Sequence, residues 1–156
     1  MGNKRTTYQV QGKHYTDRET LSLAWQKWLK EFEPFDWYIT LTFRDYTHPE
    51  IAYKRFFRMI RKMNEELFGK RYREQNKGLH YAVAIEQQKH EVIHLHCLIG
   101  GGASTLKKRK YSDFWMTESG FAQIKDYDPS LNAIKYITKD IYKGGEIRVH
   151  DPKRGR

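Results

Sequence analysis

Apolar residues recur along this chain with two distinct periods, and the alternation between them lays out the elements. Residues 1 to about 16 are polar and irregular. Thr16 or Asp17 can cap a helix running to about Phe32, with Leu21, Ala24, Trp25, Trp28 and Leu29 on one stripe and Pro34 closing it. The run Trp37-Tyr38-Ile39-Thr40-Leu41-Thr42-Phe43 alternates at period two and predicts a strand whose apolar face is Trp37, Ile39, Leu41 and Phe43. Period 3.6 returns from Glu50 to Phe68, with Ile51, Phe56, Met59, Ile60, Met63 and Leu67 on one side, and Gly69 ends it. A polar loop, Lys70 to Gly78, leads into a strand from Leu79 to Gln87. A tight connection at Lys89-His90-Glu91 turns into a further strand, Val92 to Gly100, so the two form an antiparallel hairpin.

Beyond Gly100-Gly101-Gly102, the basic stretch Lys107-Lys108-Arg109-Lys110 leads to a short helix or turn around Tyr111 to Trp115, and Gly120 to Lys125 reads as a strand. Asp128-Pro129-Ser130 is a helix start, and the helix it opens runs to about Lys143, where Gly144-Gly145 stops it. A basic tail occupies about 144–156. Four strands and three or four helices in irregular order predict an α+β fold, a central mainly antiparallel β-sheet with flanking helices, in one domain spanning 1–156.

Charge changes the picture more than composition does. Lys and Arg number 29 against 19 Asp and Glu, a formal net charge of +10, which predicts a polyanionic partner. The aromatic residues, 11 Tyr, 8 Phe and 4 Trp, add surfaces on which unpaired bases can stack. With Cys97 as the one cysteine, no disulfide framework or cysteine-based zinc site can form within the chain. No glycine-rich phosphate loop ending in Gly-Lys-Ser/Thr is present, which argues against an ATP-driven motor. There is no membrane-length apolar run and the N-terminus is polar, so the expected location is cytoplasmic, with no membrane partner.

The candidate chemistry sits on two segments. On a strand, side chains at i and i+2 leave the same face, so His94 and His96 project together while Leu95 points the other way. On the neighbouring strand His80, Ala82, Ala84 and Glu86 share a face, and Tyr81, Val83 and Ile85 share the opposite one. If the Leu95 and Ile85 faces are both buried, Glu86 joins the two imidazoles. Two imidazoles and a carboxylate leave coordination positions open for water and a phosphate oxygen, and zinc would accept the same ligands. His80 and His90 are alternative donors. On the last helix Ile134, Ile137 and Ile141 form one stripe, while Asn132, Tyr136, Lys139, Asp140 and Lys143 cluster on another. Tyrosine ionises near pH 10, so a nucleophilic role needs help, and Lys139 one turn from Tyr136 supplies a cation. Tyr142 falls on a different face with Lys135 and Thr138. A lone helical tyrosine is more often a packing residue, and a His-x-His pair alone is weak.

Three segments in order carry a resemblance: Tyr38-Ile39-Thr40-Leu41-Thr42-Phe43, His94-Leu95-His96 and Tyr136-Ile137-Thr138-Lys139. Together they resemble the motifs of the HUH endonuclease superfamily, in particular the rolling-circle replication initiators of plasmids and small single-stranded DNA replicons. Asn132 stands where two-tyrosine versions would have their first tyrosine, so the chain is similar to the one-tyrosine type. The resemblance implies Mg²⁺ or Mn²⁺ at His94 and His96, with Glu86 as an additional acidic ligand, and Tyr136 as nucleophile. It implies attack on single-stranded origin DNA to give a 5′-phosphotyrosyl link and a free 3′-hydroxyl, with a host polymerase and helicase as further partners. It also implies a sheet like that of ferredoxins and RNA-recognition domains. Arg44, Lys54, Arg55, Lys107, Lys108 and Arg109 are candidates, from charge, for holding the DNA backbone. A transposase or relaxase-like protein would share these motifs. From a different class, a non-catalytic single-stranded nucleic-acid-binding module would share the sheet, although Val92 to Gly100 lacks its paired aromatics.

Overall fold

The computed structural model describes residues 8–10, 13–15, 18–87, 92–139 and 147–154. In chain order these form β1 (Tyr8–Val10), β2 (Lys13–Tyr15), α1 (Arg18–Lys30), β3 (Trp37–Thr42), α2 (Pro49–Phe68), β4 (His80–Gln87), β5 (Ile93–Gly100), α3 (Lys108–Glu118), β6 (Ala122–Asp126), α4 (Ala133–Thr138) and β7 (Ile147–His150). β1 and β2 pair as a small hairpin. The other five strands make one sheet in the order β6-β3-β5-β4-β7, antiparallel throughout. The fold is α+β, with helices on both faces of the sheet.

Strand parity decides which helices cover which face. Trp37, Ile39 and Leu41 of β3, Val83 of β4 and Leu95, Cys97 and Ile99 of β5 point to one side, where they pack with Phe56, Met59 and Met63 of α2 and Tyr111 and Trp115 of α3. Trp115 also donates its indole N–H to the Thr42 carbonyl at 2.9 Å, tying α3 to the end of β3. On the opposite side Ala82, Ala84 and Leu98 meet Leu21 and Leu29 of α1 and Ile134 and Ile137 of α4. The central strand β5 is therefore buried on both faces, as its near-continuous apolar run requires.

Several elements differ from the sequence reading. The segment before residue 16, expected to be irregular, contains the β1–β2 hairpin. The basic tail contains β7, a fifth strand of the main sheet: Ile147 is buried with the α1–α4 side, and the strand lies at the sheet edge against β4. Its charged neighbours sit on the partly solvated positions of an edge strand, and that polarity masked the alternation. α3 starts at Lys108 and spans 11 residues, longer than the turn around Tyr111 to Trp115. α4 does not begin at Pro129. Pro129–Leu131 form a separate 3₁₀ turn capped by Asp128, and Asn132, in the left-handed conformation (φ 55°), separates it from α4. The connection at Lys89-His90-Glu91, and Asp140 to Glu146 with Ile141, Tyr142 and Lys143, lie outside the described residues. No described helix is long and apolar enough to cross a membrane.

Candidate active site

Residues Glu86 and His94 are direct cross-strand partners, as are Ala84 and His96, and Thr40 and His96 on the other flank. Opposed residues of an antiparallel pair share a face, so Glu86, His94, His96, Tyr38 and Thr40 all stand on the α1–α4 side. This is the arrangement that parity on the two strands predicts, since Leu95 is fully buried on the other side.

His96 is the centre of the network. Its Nε2 meets the Glu86 carboxylate, and its Nδ1 lies 3.2 Å from the Tyr38 hydroxyl and 3.4 Å from the Thr40 hydroxyl. Burial holds His96 below the ordinary imidazole range, against the opposing pull of the Glu86 hydrogen bond. The ring is accordingly neutral near pH 7 and carries one proton. A carboxylate only accepts, so that proton sits on Nε2, and Nδ1 accepts from a hydroxyl. Burial pushes the Tyr38 phenol up to about 12, so it keeps its proton and can donate.

The nucleophile candidate arrives from the other layer. Ile134 and Ile137 are each 4% exposed beneath α4, whereas Tyr136 is 42% exposed on the opposite side of the same helix. Burying two isoleucines stabilises the docked helix by about 3–6 kcal/mol, and Thr138, fully buried, faces Ser22 of α1. Docked in this way, the Tyr136 ring meets His96 edge to face, with centroids 5.2 Å apart. Lys139 lies one turn on. Its ammonium is 3.8 Å from the Tyr136 ring centroid and 3.9 Å from Glu86 Oε1. Glu86 thus links the imidazole to the cation beside the tyrosine.

These groups line a cleft of about 470 Å³ that continues over Gln123, Lys125 and Asp126 of β6 and Asp128 and Leu131 of the following turn. Two imidazoles and a carboxylate face one cleft, donor types that would suit a divalent ion, and the hydroxyls at His96 Nδ1 can accept rather than donate if the ring proton moves from Nε2 to Nδ1. Among the described residues no three His, Cys, Asp or Glu side chains form a ready-made metal cage. His80, an alternative donor, is at the far end of β4, where Nε2 lies 2.8 Å from the Pro34 carbonyl. His90 is outside the described residues.

The basic residues chosen from charge are not gathered at this cleft. Arg44 donates to the Met116 and Thr117 carbonyls at 2.5 and 3.2 Å, which caps the end of α3. Lys54 and Arg55 belong to α2 on the other sheet face, where Arg55 stands 5.9 Å from the Phe43 ring. Lys107 precedes α3, Arg109 faces Asp113 at 3.8 Å, and Lys108 reaches the cleft rim by pairing with Asp126 at 2.6 Å. Sequence reasoning gave no site role to Gln123, Lys125, Asp126 or Asp128, and placed Tyr38 and Thr40 in a motif without a role of their own. For Tyr38 and Thr40 the signal was present, because they occupy the polar parity of a strand whose odd positions are apolar.

Comparison with known proteins adds the decisive point. A family model described as replication-associated protein ORF2/G2P matches residues 36–145 of the 156. The chain belongs to that family. The matched stretch runs from β3 through α4, so every strand and helix that carries a residue of the cleft falls within it. Neither a curated protein nor a solved structure matches the chain. Membership in the replication-associated protein ORF2/G2P family is consistent with a replication initiator and compatible with an endonuclease.

Proposed function

We propose that this member of the replication-associated protein ORF2/G2P family is a one-tyrosine HUH endonuclease that nicks and rejoins single-stranded origin DNA, starting rolling-circle replication of a plasmid or small single-stranded replicon. The observation that carries the reading is the meeting of Tyr136, Glu86 and His96 in one cleft, with Lys139 reaching both Tyr136 and Glu86, although these residues come from two layers.

Tyr136 is the nucleophile. Its oxygen forms a bond to phosphorus as the bond from phosphorus to the 3′-oxygen breaks, leaving a 5′-phosphotyrosyl link and a 3′-hydroxyl. The phenol proton is released and the departing 3′-oxygen gains one, so the reaction is proton-neutral. The bond energy is stored in the covalent link, and the reverse attack by a 3′-hydroxyl rejoins the strand without ATP. Lys139 faces the Tyr136 ring and places a cation where negative charge gathers as the phosphate is attacked. Its second contact, with Glu86, fixes the ammonium between ring and carboxylate. His94, His96 and Glu86 would hold Mg²⁺ or Mn²⁺, which when bound supplies Lewis-acid polarisation of a phosphate oxygen. Tyr38 and Thr40 orient His96 from behind.

The test is a covalent protein–DNA band on a denaturing gel, formed with a random pool of single-stranded DNA. Wild-type protein gives the band with Mn²⁺ and loses it with EDTA, and Tyr136→Phe gives none while still binding DNA. Cleavage that survives Tyr136→Phe would mean hydrolysis by water. Tight binding without adduct or cleavage in the wild type would make the protein a binding module.

A further inference from the structure

The cleft described above uses few of the chain's cations, and a second concave surface uses others. On the opposite face of the sheet, a cleft of about 370 Å³ lies between α2, the 69–79 loop, β4 and the residues after β7. Tyr81, on its wall, and Glu86, in the first cleft, have opposite parity on β4 and are five residues apart, about 17 Å along the strand. The two clefts do not share a lining residue.

Arg61 of α2 and Arg73 and Lys77 of the loop line this second cleft and are exposed. Among the described residues no carboxylate pairs with any of the three, whereas neighbouring cations are neutralised: Arg71 by Glu74 at 2.7 Å and Arg148 by Glu50 at 2.8 Å. The same cleft is lined by the half-buried rings of Phe57, Tyr81 and His150, which pack on one another with centroids 6.1 Å (Phe57–Tyr81) and 5.5 Å (Tyr81–His150) apart. Cations without a carboxylate partner beside aromatic rings, with Arg73 itself 5.7 Å from the Tyr72 ring, are the chemistry that recognises a sugar-phosphate backbone with unpaired bases.

The loop presenting these groups is held in shape. Tyr72 is 7% exposed, and its carbonyl accepts from Lys77 N at 2.9 Å. Asn76 takes the left-handed conformation (φ 54°), which turns the chain back, and buried Asn64 of α2 accepts from Leu79 N at 2.8 Å. Gly78 (φ +150°) passes so close to Pro152 that an added Cβ would lie 3.2 Å from its ring, so the segment after β7 closes one wall. The backbone that carries Arg73 and Lys77 is thus held beside the cleft.

We propose that this cleft is a second single-stranded DNA site, with Arg61, Arg73 and Lys77 on phosphates and the Phe57 and Tyr81 rings against bases. It holds DNA outside the reacting phosphate and anchors the replicon strand on the sheet face away from Tyr136. The choice of DNA as the polyanion rests on the proposed function; the site itself rests on its charges, rings and shape.

Binding of a fluorescein-labelled random single-stranded DNA is measured by anisotropy against salt, in EDTA and in the Tyr136→Phe background, so that chemistry plays no part. Adding Arg61→Ala, Arg73→Ala and Lys77→Ala together is expected to weaken binding by roughly tenfold or more at 50 mM salt. The slope of log K against log salt should become shallower by about 2, as the loss of three phosphate contacts requires. A charge-matched control, Lys27→Ala, Lys30→Ala and Lys62→Ala, should leave both nearly unchanged. Equal losses in the two triple variants, or none in the first, would overturn the site, and so would displacement of the DNA by thymidine monophosphate at 1:1 stoichiometry, which would mark a mononucleotide pocket. In parallel, the cleft triple variant with Tyr136 intact should need about tenfold more DNA than wild type for half-maximal adduct formation, and an unchanged half-saturation point would overturn the site. Absence of adduct from wild-type protein would sink the proposed function and leave the binding result standing.

Discussion

Removing the two hydroxyls behind His96 tests whether the imidazole is oriented by the protein or merely buried there. Tyr38→Phe deletes the contact at 3.2 Å and Thr40→Val the one at 3.4 Å. The first distance is at the edge of a normal hydrogen bond and the second is beyond it, so Tyr38 is expected to matter more. Each single change leaves the other hydroxyl available, which limits its cost to about 0.5–1.5 kcal/mol. The double variant is different in kind. His96 is 6% exposed, so Nδ1 would be left buried with neither of its hydroxyl partners, at about 1–3 kcal/mol.

Urea unfolding of the four proteins in EDTA gives the stability terms, and the double variant should lose more than the sum of the single losses. The same four proteins titrated with Mn²⁺ read the orienting role, because loss of the groups that hold a ligating histidine weakens metal binding by roughly 10–100-fold. A double variant with wild-type stability and Mn²⁺ affinity within twofold of wild type would refute the reasoning. Lost stability with unchanged Mn²⁺ affinity would leave the hydroxyls as packing groups and remove His96 from the proposed ligand set.

Gly120→Ala should destabilise by about 2 kcal/mol or more, since the new Cβ would press into the Thr42 carbonyl and lie 2.9 Å from Phe43 Cα, both backbone atoms that cannot swing aside. Differential scanning calorimetry should show a melting point lower by about 4–8 °C, and an unchanged value would mean that β3 and β6 separate easily at this end. Burial holds both His96 and His150 below the usual imidazole pKa. The unfolded chain therefore takes up these protons near pH 6.5 while the folded protein resists them. Stability from this source is complete above about pH 6.5 and is lost as pH falls below it. Urea midpoints measured from pH 8 to 5.5 should decline on the acid side, and a midpoint that rises on acidification would contradict the sign.

The parts of the site that were legible in the sequence are those where parity or helical spacing alone decides the answer. His94 and His96 share a face because they are two apart, and Glu86 joins them once Leu95 and Ile85 are both assigned to the α2 side. Tyr136 and Lys139 share a face because they are three apart, while Ile134 and Ile137 supply the stripe that docks the helix. The illegible parts depend on pairings between distant segments. Nothing local places Tyr38 beside His96, 58 residues away, or tells the tail that β7 will pair with β4. The surroundings of the basic residues were also illegible, because a cation in sequence does not reveal whether it will meet the end of a helix, as Arg44 does, or a carboxylate, as Lys108 does.

The two halves of the candidate site are built to different mechanical standards. His94 and His96 stand on a strand paired on both sides and buried on both faces, with Leu95, Cys97 and Ile99 fully enclosed among α2 and α3. Shifting that strand by a fraction of an ångström would disturb two core layers, so the imidazoles are held to the precision of the core itself. Tyr136 stands on a helix of six residues, preceded by a left-handed Asn132 and fastened chiefly by Ile134 and Ile137. So short a helix has little stability of its own. Its position relative to the sheet is set by those two side chains, by buried Thr138 facing Ser22, and by the exposed Lys139 ammonium 3.9 Å from the partly buried Glu86 carboxylate. Under the proposed function this asymmetry would suit a transesterase, whose donors facing the phosphate must keep their place while the tyrosine first attacks and is then released.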